Sequence, residues 1–146
     1  MRVMVLVKAT TASEAGEMPS VASMEEMGRF NEALAAAGLL LAGEGLHPSR
    51  SGHRIRFDGA SRRVTDGPFA ATDELVAGFW IWKVADMAEA LAWAQRCPNP
   101  MPGPSEIEIR RIYEMEDFGE AVTPELAEKE AAMRQRLERK PGLEKK

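Results

Sequence analysis

Short apolar runs and stretches of helical periodicity alternate along the first part of the chain. Arg2–Lys8 is a continuous, largely β-branched apolar run, which predicts a buried central strand. Ala9–Pro19 is rich in Thr, Ser, Glu and Gly, a composition typical of a loop. From Ser20 onward apolar residues recur at helical spacing until Gly38, a residue type that commonly follows the last turn of a helix. The pattern therefore predicts a strand, a loop and a helix.

In the middle of the chain the pattern indicates two strands of a sheet with a hairpin between them. Leu39–Leu46 is the first of these strands and Val76–Val84 is the second. Between them, His53–Phe57 alternates charged and apolar positions, an Asp-Gly pair supplies a tight turn, and Arg62–Thr65 returns. We therefore expect an inserted β-hairpin with arginines on one face and apolar side chains on the other.

The last third of the chain contains a helix, a strand and a charged tail. Asp86 is the expected cap of a helix that Pro98 stops, and Glu106–Tyr113 is the last core strand. Thr123, followed by proline, opens a charged helix that extends to about Lys140. Without the hairpin and tail, the order is β-α-β followed by β-α-β. That order predicts an α+β fold of the ferredoxin-like, split βαβ type.

Composition and charge narrow the function classes. A chain of 146 residues with 45% hydrophobic and 29% charged residues has the size and composition of a single globular domain. The single cysteine, Cys97, has no intramolecular disulfide partner, which fits a reducing compartment. Val3–Val7 is too short for a signal peptide or a membrane span, and the net charge of −4 favours neither DNA nor an anionic membrane. We therefore expect a cytoplasmic protein whose partners are small molecules or other proteins.

Charged residues are predicted on the sheet face that the helices leave open. In the last strand two isoleucines share one face, so Glu108 and Arg110 share the opposite face. Arg54 and Arg56 join them if the hairpin lies alongside. Charges on a sheet face need pairing or hydration, so the cluster predicts a paired or solvated face, a dimer seam or a site for an acidic ligand. The paired or solvated face is the interpretation that needs the fewest assumptions.

The segment Asp66-Gly67-Pro68-Phe69 is the sharpest local signal in the sequence. Its composition is that of a turn in which the aspartate accepts backbone N–H groups, and a turn alone explains it. The functional alternative is that Asp66 presents a carboxylate at the mouth of a cavity, with Asp73 and Glu74 nearby. Carboxylates with different environments can share acid–base work. Both interpretations remain open from the sequence.

Other residue types that carry chemistry form no complete motif. His47 and His53 lie on either side of a proline turn without a cysteine or third histidine, so no zinc site is expected. Cys97 ends a helix, which favours a packing role over a nucleophilic one. No phosphate-binding loop, nucleophile elbow or metalloprotease motif occurs. The sequence therefore indicates neither a metal nor a cofactor.

Four segments, in order, resemble the YCII-related, DGPF-domain family. They are Leu40–Ser49, Val64–Trp80, Glu89–Pro98 and Ile107–Arg110. The resemblance covers about residues 1–115 and leaves 116–146 as a C-terminal helical extension. It implies a ferredoxin-like subunit that dimerises through the open sheet face to give a dimeric α/β barrel. It also implies a bacterial protein, since the family is largely bacterial, most members have no assigned activity, and some are linked to extracytoplasmic-function sigma factors.

The chain departs from the family pattern at positions that bear on function. Related YciI-type proteins are proposed to use a His–Asp pair with the histidine on the first helix, but Ser20–Ala37 contains no histidine. Ala71 and Asp73 stand where family members often have Glu and Lys. The loop is therefore more acidic than in those relatives, which weakens an inference of anion binding there.

The sequence leads to two candidate functions and leaves open whether the protein is an enzyme. The first is a homodimeric small-molecule-binding or regulatory module, linked through the resemblance to bacterial stress or sigma-factor systems and able to bind a protein partner. The alternative is a cofactor-independent enzyme that acts on a small organic molecule in the dimer cleft. Its candidate catalytic residues are Asp66, Glu74, Glu108 and Arg110. The candidate binding residues are Lys8, His47, Arg54, Arg56, Asp66, Phe69 and Arg110.

Overall fold

Six β-strands form two separate antiparallel sheets in a computed structural model that describes residues 1–139. The strands are β1 (Arg2–Lys8), β2 (Leu40–Gly45), β3 (His53–Asp58), β4 (Ser61–Asp66), β5 (Val76–Lys83) and β6 (Ile107–Arg111). The larger sheet has the order β2-β5-β1-β6, and the smaller sheet consists of β3 and β4 alone. Strand β5 lies between β1 and β2 and is antiparallel to both. This arrangement confirms the predicted α+β class, and neither sheet closes into a barrel within residues 1–139.

Four α-helices accompany the strands in the described part of the chain. They are α1 (Thr11–Glu14), α2 (Val21–Ala36), α3 (Met87–Gln95) and α4 (Pro124–Arg139). The side chain of Ser20 caps α2, and that of Asp86 caps α3 by accepting from the third backbone N–H of each helix. Gly38 ends α2 with a φ of 77°, a conformation that glycine adopts without strain. The predicted helices and their start signals are therefore confirmed.

The core lies between one face of the larger sheet and helices α2 and α3. Alternate residues of β1 and β5 are buried, which places Val5, Trp80 and Trp82 on the covered face. Phe30 of α2 packs with its ring at a steep angle to both tryptophan rings, at centroid distances of 6.2 Å. Ala90 is the fully buried residue of α3. Trp80 and Trp82 are therefore core residues.

Two details differ from the sequence-based expectations, and part of a third expectation lies outside the described residues. The segment Ala9–Pro19 contains the short helix α1 because Thr10 and Ser13 form a reciprocal capping box. The last core strand is shorter than Glu106–Tyr113. The tail helix begins at Pro124, as predicted, while its predicted end at Lys140 lies outside the described residues.

The chain divides into two compact units. The first is Met1–Ile112 and contains both sheets, and the second begins at Tyr113 and contains α4. Within the second unit the rings of Tyr113 and Phe118 stack at a centroid distance of 5.1 Å. Glu130 and Arg134 form an i,i+4 ion pair on α4 at 2.8 Å.

Candidate functional site

Three of the four candidate catalytic residues belong to one group of ion pairs that includes Lys8. The Lys8 ammonium group lies 3.9 Å from the Glu74 carboxylate and 3.7 Å from that of Glu108. Arg110 lies 3.7 Å from the other oxygen of Glu108. Glu108 and Arg110 pair with Leu6 and Met4 of β1, so they lie on the sheet face opposite the core. The paired charged face that the alternation predicted is therefore present.

A cavity of about 610 Å³ lies beside this lysine, and we call it the Lys8 cavity. The Lys8 side chain is only 15% exposed. Four carboxylates line the cavity together with Lys8: Asp73, Glu74, Glu106 and Glu108. The cavity wall therefore has more negative than positive groups.

Asp66 lies on the hairpin and has a different partner. Its Oδ1 atom lies 2.8 Å from Nδ1 of His53, the residue opposite it in the β3–β4 ladder. The two side chains are 79% and 62% exposed. The structure thus brings Glu74, Glu108 and Arg110 together and places Asp66 in an exposed pair with histidine.

The turn after Asp66 is fastened to a distant part of the chain through Ser49. The backbone N–H of Phe69 donates to Ser49 Oγ at 3.0 Å, and Ser49 in turn donates to the Glu14 carboxylate through both its N–H and its hydroxyl. The backbone N–H of Gly67 donates to the Gly52 carbonyl at 2.9 Å. A Cβ atom at Gly67 would lie 1.7 Å from the Ser49 carbonyl oxygen. Glycine is therefore required at this position by space.

The hairpin arginines fall into two groups. Arg54 stacks on the Phe69 ring at 4.0 Å, and Arg62 lies over Phe57 at 4.6 Å while donating to nearby carbonyl groups. Arg56 is directly opposite Arg63 in the ladder. Arg54 and Arg56 belong to the smaller sheet, so they do not extend the charged face of Glu108 and Arg110.

His47 lines a different cleft, whose floor is unusually poor in side chains. Two adjoining cavities of about 800 and 380 Å³ share Gly45 and Ala77 in their walls. Gly43 and Gly78 also line the smaller one, and Gly45 and Gly78 are paired across β2 and β5. A Cβ atom at Gly45 would meet nothing within 4 Å. We call this space the glycine-floored cleft.

The roof of the cleft is the proline-rich loop before β6. Asn99 holds this loop by donating to the Gly103 carbonyl and accepting from Met101 N–H and the Ser105 hydroxyl. The Thr10 hydroxyl contacts the Met101 sulfur at 3.5 Å. The loop is therefore braced in place over the cleft, with Met101 in the wall of both cavities.

The cleft combines apolar walls with a few polar groups. Methionine and proline side chains dominate the walls, including Met18, Pro19, Met24, Met27, Pro100 and Met101. The polar groups include His47, Ser20, Ser23 and Asn31. Asn31 accepts from the Trp80 indole N–H at 2.9 Å, so one of these groups is already fixed. Concave, mainly apolar sites with a few convergent polar groups are typical of small-molecule binding.

Three further observations bear on the chemistry of the described residues. Burial raises the pKa of the Cys97 thiol to about 11, so this residue is a poor nucleophile. Within residues 1–139, no group of three or more His, Cys, Asp or Glu side chains is arranged to hold a metal ion. None of the helices in that range is long and apolar enough to cross a membrane.

These features define an antiparallel α+β protein with an inserted hairpin and a cleft between its sheet, its first long helix and a proline-rich loop. The chain belongs to the YCII-related family, because the profile of the YCII-related domain matches residues 1–116. A curated relative is uncharacterized protein R00369 from Rhizobium meliloti (strain 1021). It is 30% identical over 89 residues, which cover 61% of this chain and 72% of the relative. The family resemblance is therefore confirmed.

Sequence reasoning missed the residues that shape the cleft and fasten the turn. Gly45 and Gly78 shape the cleft because they lack side chains, and a glycine in the sequence does not by itself indicate a nearby cavity. Glu14 and Ser49 are 35 positions apart, so no local pattern joins them. The one available signal was the run of prolines around Met101, which indicated a rigid loop.

Proposed function

We propose that this protein is a small-molecule-binding module whose ligand occupies the glycine-floored cleft. The observation that carries the proposal is the empty floor at Gly45, where both cavities meet and no atom beyond the adjoining residues lies within 4 Å of a Cβ position. Methionine-rich walls adapt to flat or branched apolar groups. The ligand class that fits is a compact, mainly apolar molecule with one polar end.

The polar end of the ligand is assigned to the side of the cleft where His47 lies. An imidazole offers a donor and an acceptor, and the hydroxyl groups of Ser20 and Ser23 line the same cavity. The inner end is assigned to the smaller cavity, next to Trp80 and Met27. Among the candidate binding residues from the sequence, His47 is the one that this proposal uses.

A cleft-filling substitution tests the proposal. The probe is 8-anilinonaphthalene-1-sulfonate, which has apolar rings and one polar group, followed by fluorescence titration. We expect Gly45→Leu to weaken binding about tenfold or more, because the leucine side chain occupies the shared space, a loss of about 1.4 kcal/mol. The matched control is Gly28→Leu, since Gly28 also has nothing within 4 Å of a Cβ position but lines neither cavity.

The two variants separate the cleft from other apolar surfaces. Equal probe affinity in Gly45→Leu and Gly28→Leu would place the probe elsewhere and contradict the proposal. Circular dichroism and urea unfolding of both variants check that the change in affinity does not come from a loss of folded protein.

The proposal includes a cytoplasmic homodimer, with the open sheet face as the contact predicted from the sequence. That face carries Met4 and Leu6 beside the Lys8 charges, so it has both apolar and polar groups to offer. A dimeric α/β barrel formed in this way, a further protein partner, and a link to stress or sigma-factor systems remain predictions from the family resemblance.

A cofactor-independent enzyme is the second candidate function, and the Lys8 cavity is the observation that favours it. Glu74 and Glu108 line this space for a small organic molecule, and Arg110 pairs with Glu108. Their mutual ion pairing fits a structural role equally well. Turnover of a carbonyl or carboxylate compound that Glu108→Gln abolishes without unfolding would favour the enzyme over the binding module.

A further inference from the structure

The β3–β4 hairpin is a sheet without a covering layer. Every residue of both strands is exposed in the described structure. On one face, Ile55 and Val64 are paired and more than half exposed. A two-stranded hairpin is marginally stable by itself in water. Because the hairpin lies away from any core, packing within the chain does not explain its stability.

On the opposite face of the hairpin, repulsion between two arginines destabilises the strand pair. Arg56 and Arg63 lie directly opposite each other in the ladder, and like charges in this arrangement destabilise a strand pair. Neither guanidinium has an anionic partner within residues 1–139. Arg54 differs, because its guanidinium stacks on Phe69. The unpaired arginines are therefore suited to receive two carboxylates from outside this chain.

The Lys8 cavity has an excess of negative charge, which complements the positive charge of the hairpin. Glu74 and Glu108 pair with Lys8, but Asp73 and Glu106 have no cationic partner among the described side chains. Residues 53–66 contain four arginines and two aspartates, within a chain whose formal net charge is −4. The hairpin is thus a basic projection on an acidic protein, and the acidic surface that fits it is present on every other copy.

We propose that the Arg56/Arg63 face of the hairpin docks on the Lys8 cavity of a second copy of this chain. Arg56 and Arg63 meet Asp73 and Glu106 of the other protomer, and the exchange is reciprocal. A second copy is favoured over nucleic acid because the rest of the chain is acidic and would repel phosphate groups. This contact rests on the homodimer proposed above and names a further part of it, because Lys8 and Glu108 lie on the same open sheet face as Met4 and Leu6. It is independent of the ligand in the glycine-floored cleft.

A charge-swap experiment on the full chain tests the contact. The hairpin variant carries Arg56→Glu and Arg63→Glu, and the cavity variant carries Asp73→Lys and Glu106→Lys. Sedimentation velocity over a concentration series measures the self-association of each variant, the wild type and an equimolar mixture of the two variants. All four substituted residues are exposed, so we expect both variants to fold, which circular dichroism checks.

We expect each variant alone to dissociate about tenfold or more easily than the wild type, because like charges then face each other. The mixture is expected to recover wild-type association, since Glu on one hairpin meets Lys at the other cavity and the second contact is unchanged. At about 1 M salt the differences shrink, because the screening length falls to about 3 Å. Probe binding in the cleft stays unchanged in both variants.

Three results would overturn the proposal. The first is a wild type that stays at its monomer mass of 16.1 kDa at every concentration, which would contradict the homodimer as well, whereas the second bears on the hairpin contact alone. The second is a mixture that associates no more tightly than either variant alone. The third is a low-salt gel shift of duplex DNA that the hairpin variant loses while self-association is unaffected, which would assign the arginines to nucleic acid.

Discussion

The four-stranded sheet and the two-stranded hairpin are built from the same kind of antiparallel ladder, but they differ in what covers them. Alternate residues of β1 and β5 are buried under two helices, whereas no residue of β3 or β4 is buried. Stability of the fold therefore resides in the sheet and its helices. The hairpin is free to vary its side chains for recognition without a cost to the core.

The hairpin is positioned at its base and not along its length. The Gly67 N–H bonds to the Gly52 carbonyl, and the Ser49 hydroxyl accepts from Phe69 while donating to Glu14. This group of hydrogen bonds, which we call the base clamp, replaces the packing that holds the larger sheet. We therefore expect substitutions in the core, in the base clamp and on the hairpin face to change stability by different amounts.

The largest expected effect is that of truncating the core. Leu34 is completely buried, so Leu34→Ala should lower the free energy of unfolding by about 2–5 kcal/mol through lost burial and an unfilled cavity. Ile55 is 54% exposed, and Ile55→Ala should change it by less than about 0.5 kcal/mol. Urea unfolding at low protein concentration, below self-association, measures both. Similar losses in the two variants would mean that the hairpin face is covered within the chain.

The base clamp is the next test, with an intermediate effect. Gly67→Ala places a Cβ atom against the Ser49 carbonyl, and a backbone atom cannot move aside easily, so we expect a loss of about 1–3 kcal/mol. Gly28→Ala is the control, because it sits in an exposed part of α2 with open space and should gain about 1 kcal/mol.

Hydrogen exchange locates the effect of the clamp substitution. In Gly67→Ala the amides of β3 and β4 should exchange faster while those of β1 and β5 keep their protection. Uniformly faster exchange throughout Met1–Ile112 would show that the hairpin and sheet unfold as one unit, contrary to the comparison.

The fold followed from the sequence because its signals are local. The apolar run of β1, the Asp-Gly turn of the hairpin and the Asp86 cap each depend on neighbouring residues. The short helix α1 was missed because its cap uses Thr10 and Ser13, which also suit a loop. Local rules therefore recovered the strands and the longer α-helices and missed the short helix α1.

The candidate sites were harder to predict because they depend on distant contacts. Alternation in β6 placed Glu108 and Arg110 on one face, but nothing local joins them to Lys8. Asp66 and Glu74 are close in sequence, yet the intervening chain turns through a left-handed residue, Ala71 with φ of 58°. Positive φ at a residue other than glycine is uncommon, so the direction of the chain there was not predictable.

The smallest expected effect on stability comes from Cys97, which packs against the core beneath the helices. Its thiol packs against the core and donates to the Pro98 carbonyl, and burial raises its pKa from 9.0 to about 11. Between these values the unfolded chain loses its thiol proton before the folded chain does. As pH rises from about 9 to 11, stability should therefore fall slightly more in wild type than in Cys97→Ser.

The rate of alkylation by iodoacetamide at about pH 8 compares Cys97 with a thiol placed on the exposed β3–β4 hairpin. The reference is Ile55→Cys in the Cys97→Ser background, which places the only thiol on the open hairpin face. We expect Cys97 to react about tenfold or more slowly than that thiol, because its thiolate fraction is lower and its surroundings are packed. Equal rates would mean that the Cys97 thiol is as accessible to the reagent as a thiol on the exposed hairpin. The burial of Cys97 would then give it no protection that the hairpin lacks.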